Sequence, residues 1–106
     1  MQLSQSAPLF SALGDETRLR LVARLGNEGP LSIARLTDGT DLTRQAVTKH
    51  LHVLADAGLA RSIRRGREQL WRIEPVPLDE ARRSLDLIAR RWDEALLRMK
   101  ATVEED

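Results

Sequence analysis

The sequence has no cysteine and no tyrosine, and its aromatic residues are limited to two Trp and one Phe. The lack of cysteine excludes disulfide bonds, thiolate metal sites and a cysteine nucleophile. The scarcity of aromatic residues argues against a stacking platform for single-stranded nucleic acid. No apolar run approaches the roughly 20 residues that a membrane span needs, and residues 1–10 lack the basic start and apolar core of a secretion signal. We therefore expect a cytoplasmic protein.

A net charge of only +1 hides an uneven distribution of charge along the 106 residues. Residues 1–42 carry four basic and five acidic side chains, residues 43–73 carry seven and two, and residues 74–106 carry six and nine. The middle of the chain is therefore basic and both flanks are acidic. This is the pattern expected when one face of a protein meets a polyanion and the rest does not.

The length and composition predict one helix-rich globular domain. The hydrophobic fraction is 42% and the charged fraction 31%, both typical of such a protein. A domain this small buries a smaller share of its surface than a large one. A second core, shared with a partner chain, would add stability.

Residues 42–54 have the pattern of a short helix with two unlike faces. Thr43 is suited to cap its start, and Gly58 to end it in a left-handed conformation. Its apolar side repeats at spacings of four and three, as expected of a face that packs on a core: Val47, Leu51 and Leu54.

The polar face of this helix has no acidic residue before Asp56. It carries residue types that suit base edges and phosphates in the major groove of DNA. We predict that these residues bind DNA: Thr43, Arg44, Gln45, Thr48, Lys49 and His52. The alternative is that they only solvate one side of a fold, as most mixed polar faces do, and the neighbouring segments bear on that choice.

Three shorter helices are predicted before this one. Pro8 would stand in the first turn of a helix over residues 9–13, and Asp15 would cap a second helix over residues 16–25. The apolar side of the second helix is expected to consist of Leu19, Leu21, Val22 and Leu25. Ser32 would cap a third helix that ends at Thr37.

Residues 38–42 have the composition of a turn and lead from the third helix to Thr43. A short helix, a tight turn and a second helix with a basic polar face make a helix-turn-helix.

Residues 59–64 and 69–73 have the pattern of two strands around the turn 65–68, which predicts a β-hairpin. In the second strand, Trp71 and Ile73 are expected on one side, and Leu70 and Arg72 on the other. The hairpin tip presents guanidinium groups that we expect to hold phosphate beside the helix-turn-helix: Arg64, Arg65 and Arg67. The alternative is a charged tip that only keeps the protein soluble.

The last helix is predicted to begin at Leu78, after Pro75 and Pro77 stop the second strand. Its apolar residues recur every three or four positions over about 26 residues, a rod of ~39 Å at ~1.5 Å per residue. A helix that only folded back on its own domain would leave residues 92–103 uncovered. We therefore expect a homodimer. The predicted interface comprises Leu9, Phe10, Leu13, Leu85, Ile88, Trp92, Leu96 and Met99.

Four stretches of the chain resemble the ArsR/SmtB family of bacterial winged-helix transcriptional regulators: residues 10–18, 42–51, 54–59 and the turn around Gly66. The resemblance implies that the helices around residues 43–57 enter successive major grooves of a palindromic operator. It also implies that the hairpin, called the wing, touches the flanking backbone and that the first and last helices form the dimer. Thr40 and Asp41 replace the apolar residue and the Gly that are usual in the turn.

Metal-sensing members of that family carry Cys ligands where residues 31–36 stand here, or Asp and His ligands in the last helix. This chain has no Cys, and its only histidines are His50 and His52, which point in different directions on one helix. We therefore expect no metal and no cofactor, and the sequence does not identify an inducer. His50 is expected either to pack near the core beside Leu51 or to contact phosphate.

The predicted fold is mainly α with a small β-hairpin, a winged helix-turn-helix that dimerises through its first and last helices. One domain would span residues 1–106, with N-terminal helices at 8–30, the helix-turn-helix at 31–58, the wing at 59–73 and the dimerisation helix at 78–104.

The predicted function is sequence-specific binding of double-stranded DNA by a homodimeric repressor. A winged-helix protein-interaction module and a metal-responsive repressor with an atypical site are the alternatives. An enzyme is not expected, because no paired carboxylates lie at a plausible site, both histidines stand on the helix predicted to bind DNA, and no phosphate-binding Gly loop occurs.

Overall fold

The computed structural model describes residues 3–104. These residues form five α-helices and one antiparallel pair of strands, as the sequence predicted for the fold class. The elements are α1 Leu3–Leu13, α2 Glu16–Glu28, α3 Ile33–Thr37, α4 Arg44–Asp56, β1 Ala60–Arg65, β2 Glu68–Ile73 and α5 Pro75–Glu104. Within the described residues, none of the helices combines the length and the apolarity of a membrane span.

The core lies beneath α4, where the predicted apolar stripe of that helix is completely buried. Val47, Leu51 and Leu54 are each 0% exposed and pack with Leu36 of α3 and with Leu59, which precedes β1. Burying each of these side chains contributes about 1.5–3 kcal/mol relative to leaving it in water. The core thus holds the inner face of α4 and leaves its polar face to solvent.

The ends of α4 are those predicted. The Thr43 hydroxyl accepts a hydrogen bond from the backbone N–H of Ala46 at 3.1 Å, and Gly58 has a φ of +80° just after the helix. Asp15 and Ser32 likewise accept bonds from backbone N–H groups and cap α2 and α3.

The turn between α3 and α4 is organised by Thr40, one of the two unusual residues there. Its hydroxyl donates to the Thr37 carbonyl at 2.7 Å and accepts from the backbone N–H of Leu42 at 3.3 Å. Gly39, with a φ of +79°, supplies the left-handed residue of the turn. A hydroxyl and an earlier glycine therefore close the turn in place of the usual residues.

Three prolines, Pro8, Pro75 and Pro77, lie inside helices that were predicted to begin later. The structure starts α1 at Leu3 rather than at Pro8, and α5 at Pro75 rather than at Leu78. Pro75 and Pro77 stand in the first turn of α5, where the N–H groups need no helical partner. Pro8 is the sixth residue of α1, and the helix continues through it without the hydrogen bond to the carbonyl of residue 4.

The apolar face of α2 also differs from the prediction. Leu21 and Leu25 are buried, but Leu19 is 51% exposed, because Leu19 lies off the stripe that faces the core. The helix passes through Gly26 and ends where Gly29 adopts a φ of +82°. A glycine inside a helix costs about 1 kcal/mol, which is not enough to end it.

The hairpin closes more tightly than predicted, because Arg65 pairs with Glu68 and leaves only Gly66 and Arg67 in the turn. Leu70 and Trp71 are both buried although they lie on opposite faces of β2. Trp71 belongs to the main core cluster and Leu70 does not. Leu31 forms a bridge with Trp71 through two backbone hydrogen bonds of 3.0 and 2.8 Å, which ties β2 to the segment before α3.

The first part of α5 packs on α1, where Ala81 and Ser84 are buried. The rest of its 30 residues extend from the domain, and the molecule measures 69 × 28 × 21 Å. Large apolar side chains remain exposed along this extension: Leu85, Leu87, Ile88, Trp92, Leu96, Leu97, Met99 and Val103.

Candidate DNA interface

The six predicted residues of α4 lie together on one open surface depression, which Ala46 also lines: Thr43, Arg44, Gln45, Thr48, Lys49 and His52. Thr48 is half-buried, and its hydroxyl donates to the Arg44 carbonyl at 2.7 Å. The other five side chains are exposed. Their assignment to DNA contact stays a prediction, but the structure places them on one face, as such a contact requires.

The cations of this face and of the wing tip are available to an anionic partner. Among residues 3–104, neither Arg44 nor Lys49 forms an ion pair with a carboxylate, and the same holds for Arg64, Arg65 and Arg67. All five are exposed. A phosphate backbone would supply the counter-charge that the described part of the chain does not.

The three wing arginines do not share one face of the hairpin. Cross-strand partners lie on the same face, so the pairing of Arg64 with Gln69 puts Arg64 on the side of Trp71. Arg65 lies on the other side, together with Arg72, and Arg67 stands in the turn itself. The tip therefore presents positive charge in several directions.

The wing carries two further arginines that the sequence analysis did not include among the DNA-binding residues. Arg61 and Arg72 are direct cross-strand partners and both are exposed. Arg72 is partly neutralised by Glu74, at 3.2 Å from its Nε. Only the strand register reveals this pair, because the two arginines stand eleven positions apart in the sequence.

His52 links α4 to the wing. Its ring centroid lies 5.8 Å from that of Trp71, with the two ring planes tilted by 51°. Trp71 is buried, and its indole N–H has no hydrogen-bond partner among the described residues. A DNA contact by His52 stays a prediction, and the structure adds a packing contact with β2.

His50 packs against α2 in a cluster that the sequence did not reveal. Its Nδ1 lies 3.3 Å from Nη1 of Arg18 and 3.8 Å from Oδ2 of Asp15. The backbone N–H of Arg18 donates to the Asp15 carboxylate, and this bond, ahead of the attraction of the Arg18 guanidinium, holds the pKa of Asp15 below its ordinary value. The packed position of His50 is one of the two expected; a phosphate contact is untested.

The predicted interface residues fall into two groups. Leu9 is buried in the core of its own chain, while Phe10 and Leu13 are half-buried beside that core. The α5 members are exposed: Leu85, Ile88, Trp92, Leu96 and Met99. The α5 residues thus remain free for a partner, whereas Leu9 already has an intramolecular role.

No group of three or more His, Asp or Glu side chains in residues 3–104 is placed to hold a metal ion. The expectation of a metal-independent protein stays a prediction.

Comparison with known proteins identifies the same segment. A family model described as a helix-turn-helix domain matches residues 13–63. The chain is 36% identical over 87 residues to the HTH-type transcriptional regulator Rv2034 of Mycobacterium tuberculosis, covering 82% of this chain and 78% of that one.

Among solved structures, the fold is similar to that of an ArsR-like transcriptional regulator from Rhodococcus sp. RHA1. The TM-score is 0.78 and the identity 35%, with 92% of each chain covered. It is also similar to a homodimeric winged helix-turn-helix DNA-binding domain from Mycobacterium bovis, a possible ArsR-family regulator. There the TM-score is 0.63 and the identity 25%, with 87% of this chain and 82% of that one covered. The chain belongs to the ArsR family of winged helix-turn-helix transcriptional regulators.

Proposed function

We propose that this regulator binds a palindromic operator as a homodimer and represses transcription by occupying it. The observation that carries the proposal is the polar face of α4, free of acidic residues from Arg44 to Ala55 and placed beside an arginine-bearing wing. A helix of this kind fits the major groove, and a basic hairpin fits the adjoining backbone.

Within this face, Arg44 and Gln45 are proposed to read bases. Both stand in the first turn of α4, and the first residues of such a helix meet the base edges. Lys49 and the wing arginines are proposed to hold phosphates, which positions the protein without reading sequence. The further α4 contacts assigned to Thr43, Thr48 and His52 are part of the same proposal.

The homodimer is supported by the exposed apolar stripe of α5. Trp92 is 65% exposed in the single chain, and Met99 lies two turns further along the same stripe, also 65% exposed. The neighbour from Mycobacterium bovis is homodimeric. Two half-sites about one helical turn apart can be held by two copies of α4 only if a dimer fixes their separation.

We propose that the protein acts on DNA in the cytoplasm and catalyses no reaction.

The decisive experiment is a fluorescence-anisotropy titration of the full chain against DNA from its own promoter, with a shuffled duplex as control. We expect tight binding to the promoter fragment and binding weaker by about 10³-fold or more to the shuffled duplex, with a steep dependence on salt. If the protein binds neither duplex, the result would instead favour a protein-interaction module. Equal, salt-dependent affinity for both would remove sequence-specific readout by α4.

A further inference from the structure

Arg18 lies between the carboxyl end of α1 and the side of α4. Its Nε donates to the Ala12 carbonyl at 2.6 Å and its Nη2 to the Ser11 carbonyl at 3.5 Å. Its Nη1 is 3.3 Å from Nδ1 of His50. One guanidinium thus contacts both the last carbonyls of a helix, where a cation is favoured, and a side chain of the DNA-facing helix.

The contact with His50 defines the state of the imidazole. A guanidinium has only N–H donors and does not lose its proton in proteins, so Nδ1 of His50 must act as the acceptor. The ring proton then resides on Nε2. Asp15 stands on the same side of the cluster, with Oδ2 at 3.8 Å from Nδ1, and is itself held by the backbone N–H of Arg18 at 3.0 Å.

The two helices joined by Arg18 have different tasks in the proposed function. The α1 helix packs on α5, which carries the exposed stripe of the proposed dimer, and α4 carries the residues proposed to face the groove. The angle between the dimer helices and α4 determines where the two copies of α4 stand on DNA. A polar contact between α1 and α4 is therefore placed to set that angle.

We propose that Arg18 is a positioning residue for DNA binding: by contacting the end of α1 and His50 together, it sets the orientation of α4 relative to the dimer. This inference rests on the proposed function, because it requires α4 to enter the groove. Arginine is needed because its planar fork reaches carbonyls and an imidazole at once, whereas a lysine ammonium is a single point on a flexible stem.

The test compares Arg18→Lys with Arg20→Lys. Arg20 lies on the same helix, is exposed, and its side chain pairs with Glu16 at 2.6 Å. Each variant is titrated against the operator and against an operator with one base pair inserted between its half-sites. The insertion moves one half-site by about 3.4 Å along the axis, so it penalises a dimer with fixed α4 positions.

We expect wild type and Arg20→Lys to discriminate strongly between the two duplexes. The Arg18→Lys protein should lose about tenfold of that discrimination, the change that corresponds to about 1.4 kcal/mol. A variant that is merely less stable would lose affinity for both duplexes equally and keep the ratio. An unchanged ratio in Arg18→Lys therefore overturns the proposal, while a wild type that binds neither duplex overturns the proposed function instead.

A second pair of variants tests the acceptor at His50. In His50→Asn the amide oxygen can take the place of Nδ1, and we expect discrimination to be retained; in His50→Leu no acceptor remains, and discrimination should fall as in Arg18→Lys. Nitrogen NMR spectra of the wild-type imidazole provide a readout without DNA. An unprotonated Nδ1 supports the contact, and a neutral ring protonated at Nδ1 contradicts it.

Discussion

The hydroxyl oxygens of Ser6 and Ser84 lie 2.6 Å apart in the buried seam between α1 and α5. The two residues are 1% and 3% exposed, and the similarly small Ala12 and Ala81 of the same two helices are buried as well. Small residues let two helices approach closely, and a buried hydroxyl needs the hydrogen bond that it finds here. The seam therefore fixes how the first part of α5 leaves the domain.

Ser84→Leu is expected to destabilise the protein by about 1–3 kcal/mol, because a close-packed seam has no room for two additional heavy atoms and the bond to Ser6 is lost. Urea denaturation followed by circular dichroism measures the change. The matched control is Asp86→Leu, at an exposed position of the same helix, which should remain within about 0.5 kcal/mol of wild type. Equal stability of the two variants would contradict a tight seam.

Gln45→Ala should weaken binding to the operator by about 1–3 kcal/mol and leave binding to random DNA almost unchanged, since a base contact is lost. Lys49→Ala serves as the comparison. Its loss should be similar on every duplex, with the salt slope reduced by about one unit, because it removes a phosphate contact. If Gln45→Ala weakens both duplexes equally, Gln45 has no part in reading the sequence.

Trp92→Glu should convert the dimer into folded monomers whose affinity for the operator is lower by orders of magnitude. A buried Trp covers ~150–250 Å², so its gross contribution is about 4–6 kcal/mol per side chain, an upper bound before ordering costs. Sedimentation equilibrium measures the assembly. Arg90→Gln lowers the charge by the same amount on the opposite side of α5 and should leave the dimer intact. A wild-type chain that sediments as a monomer at micromolar concentration would refute this prediction.

The stability difference between wild type and Asp15→Asn should depend on pH. Both side chains can cap α2, so the comparison isolates the negative charge. Because folding lowers the pKa of Asp15, its ionised form stabilises the folded state at every pH above the ordinary pKa of an aspartate. This advantage is lost as the pH falls through the lowered pKa. Thermal melts of the two proteins should differ near neutrality and converge in acid; a constant difference would contradict the lowered pKa.

Local signals account for the parts of the fold that could be predicted. The cap at Thr43 and the left-handed Gly58 act within a few residues of each end of α4, and the stripe between them has the helical period. The prolines misled because Pro8 was interpreted as the first turn of a helix, and Pro75 and Pro77 as the end of a strand. In the structure α1 continues through Pro8, and α5 holds the other two prolines in its first turn. Leu19 misled because an apolar residue beside the stripe looks like part of it.

The contacts between distant segments could not be predicted in the same way. Arg18 and His50 are 32 positions apart, and the pairing of Arg61 with Arg72 depends on the register between two strands. No local sequence pattern predicts either contact. Tertiary packing creates such clusters, so they become visible only in the folded structure.

If the uncovered half of α5 forms the proposed dimer, the lifetime of this protein in the cell would depend on its own concentration. In the proposed homodimer each chain completes the other, so the folded form gains stability with concentration by mass action. A few newly made chains would spend more time apart, with their apolar stripe open to proteases and to other exposed apolar segments. The regulator would accumulate steeply once its concentration exceeds the dissociation constant of the dimer. Occupancy of the operator would then show a threshold and would not rise in proportion to expression.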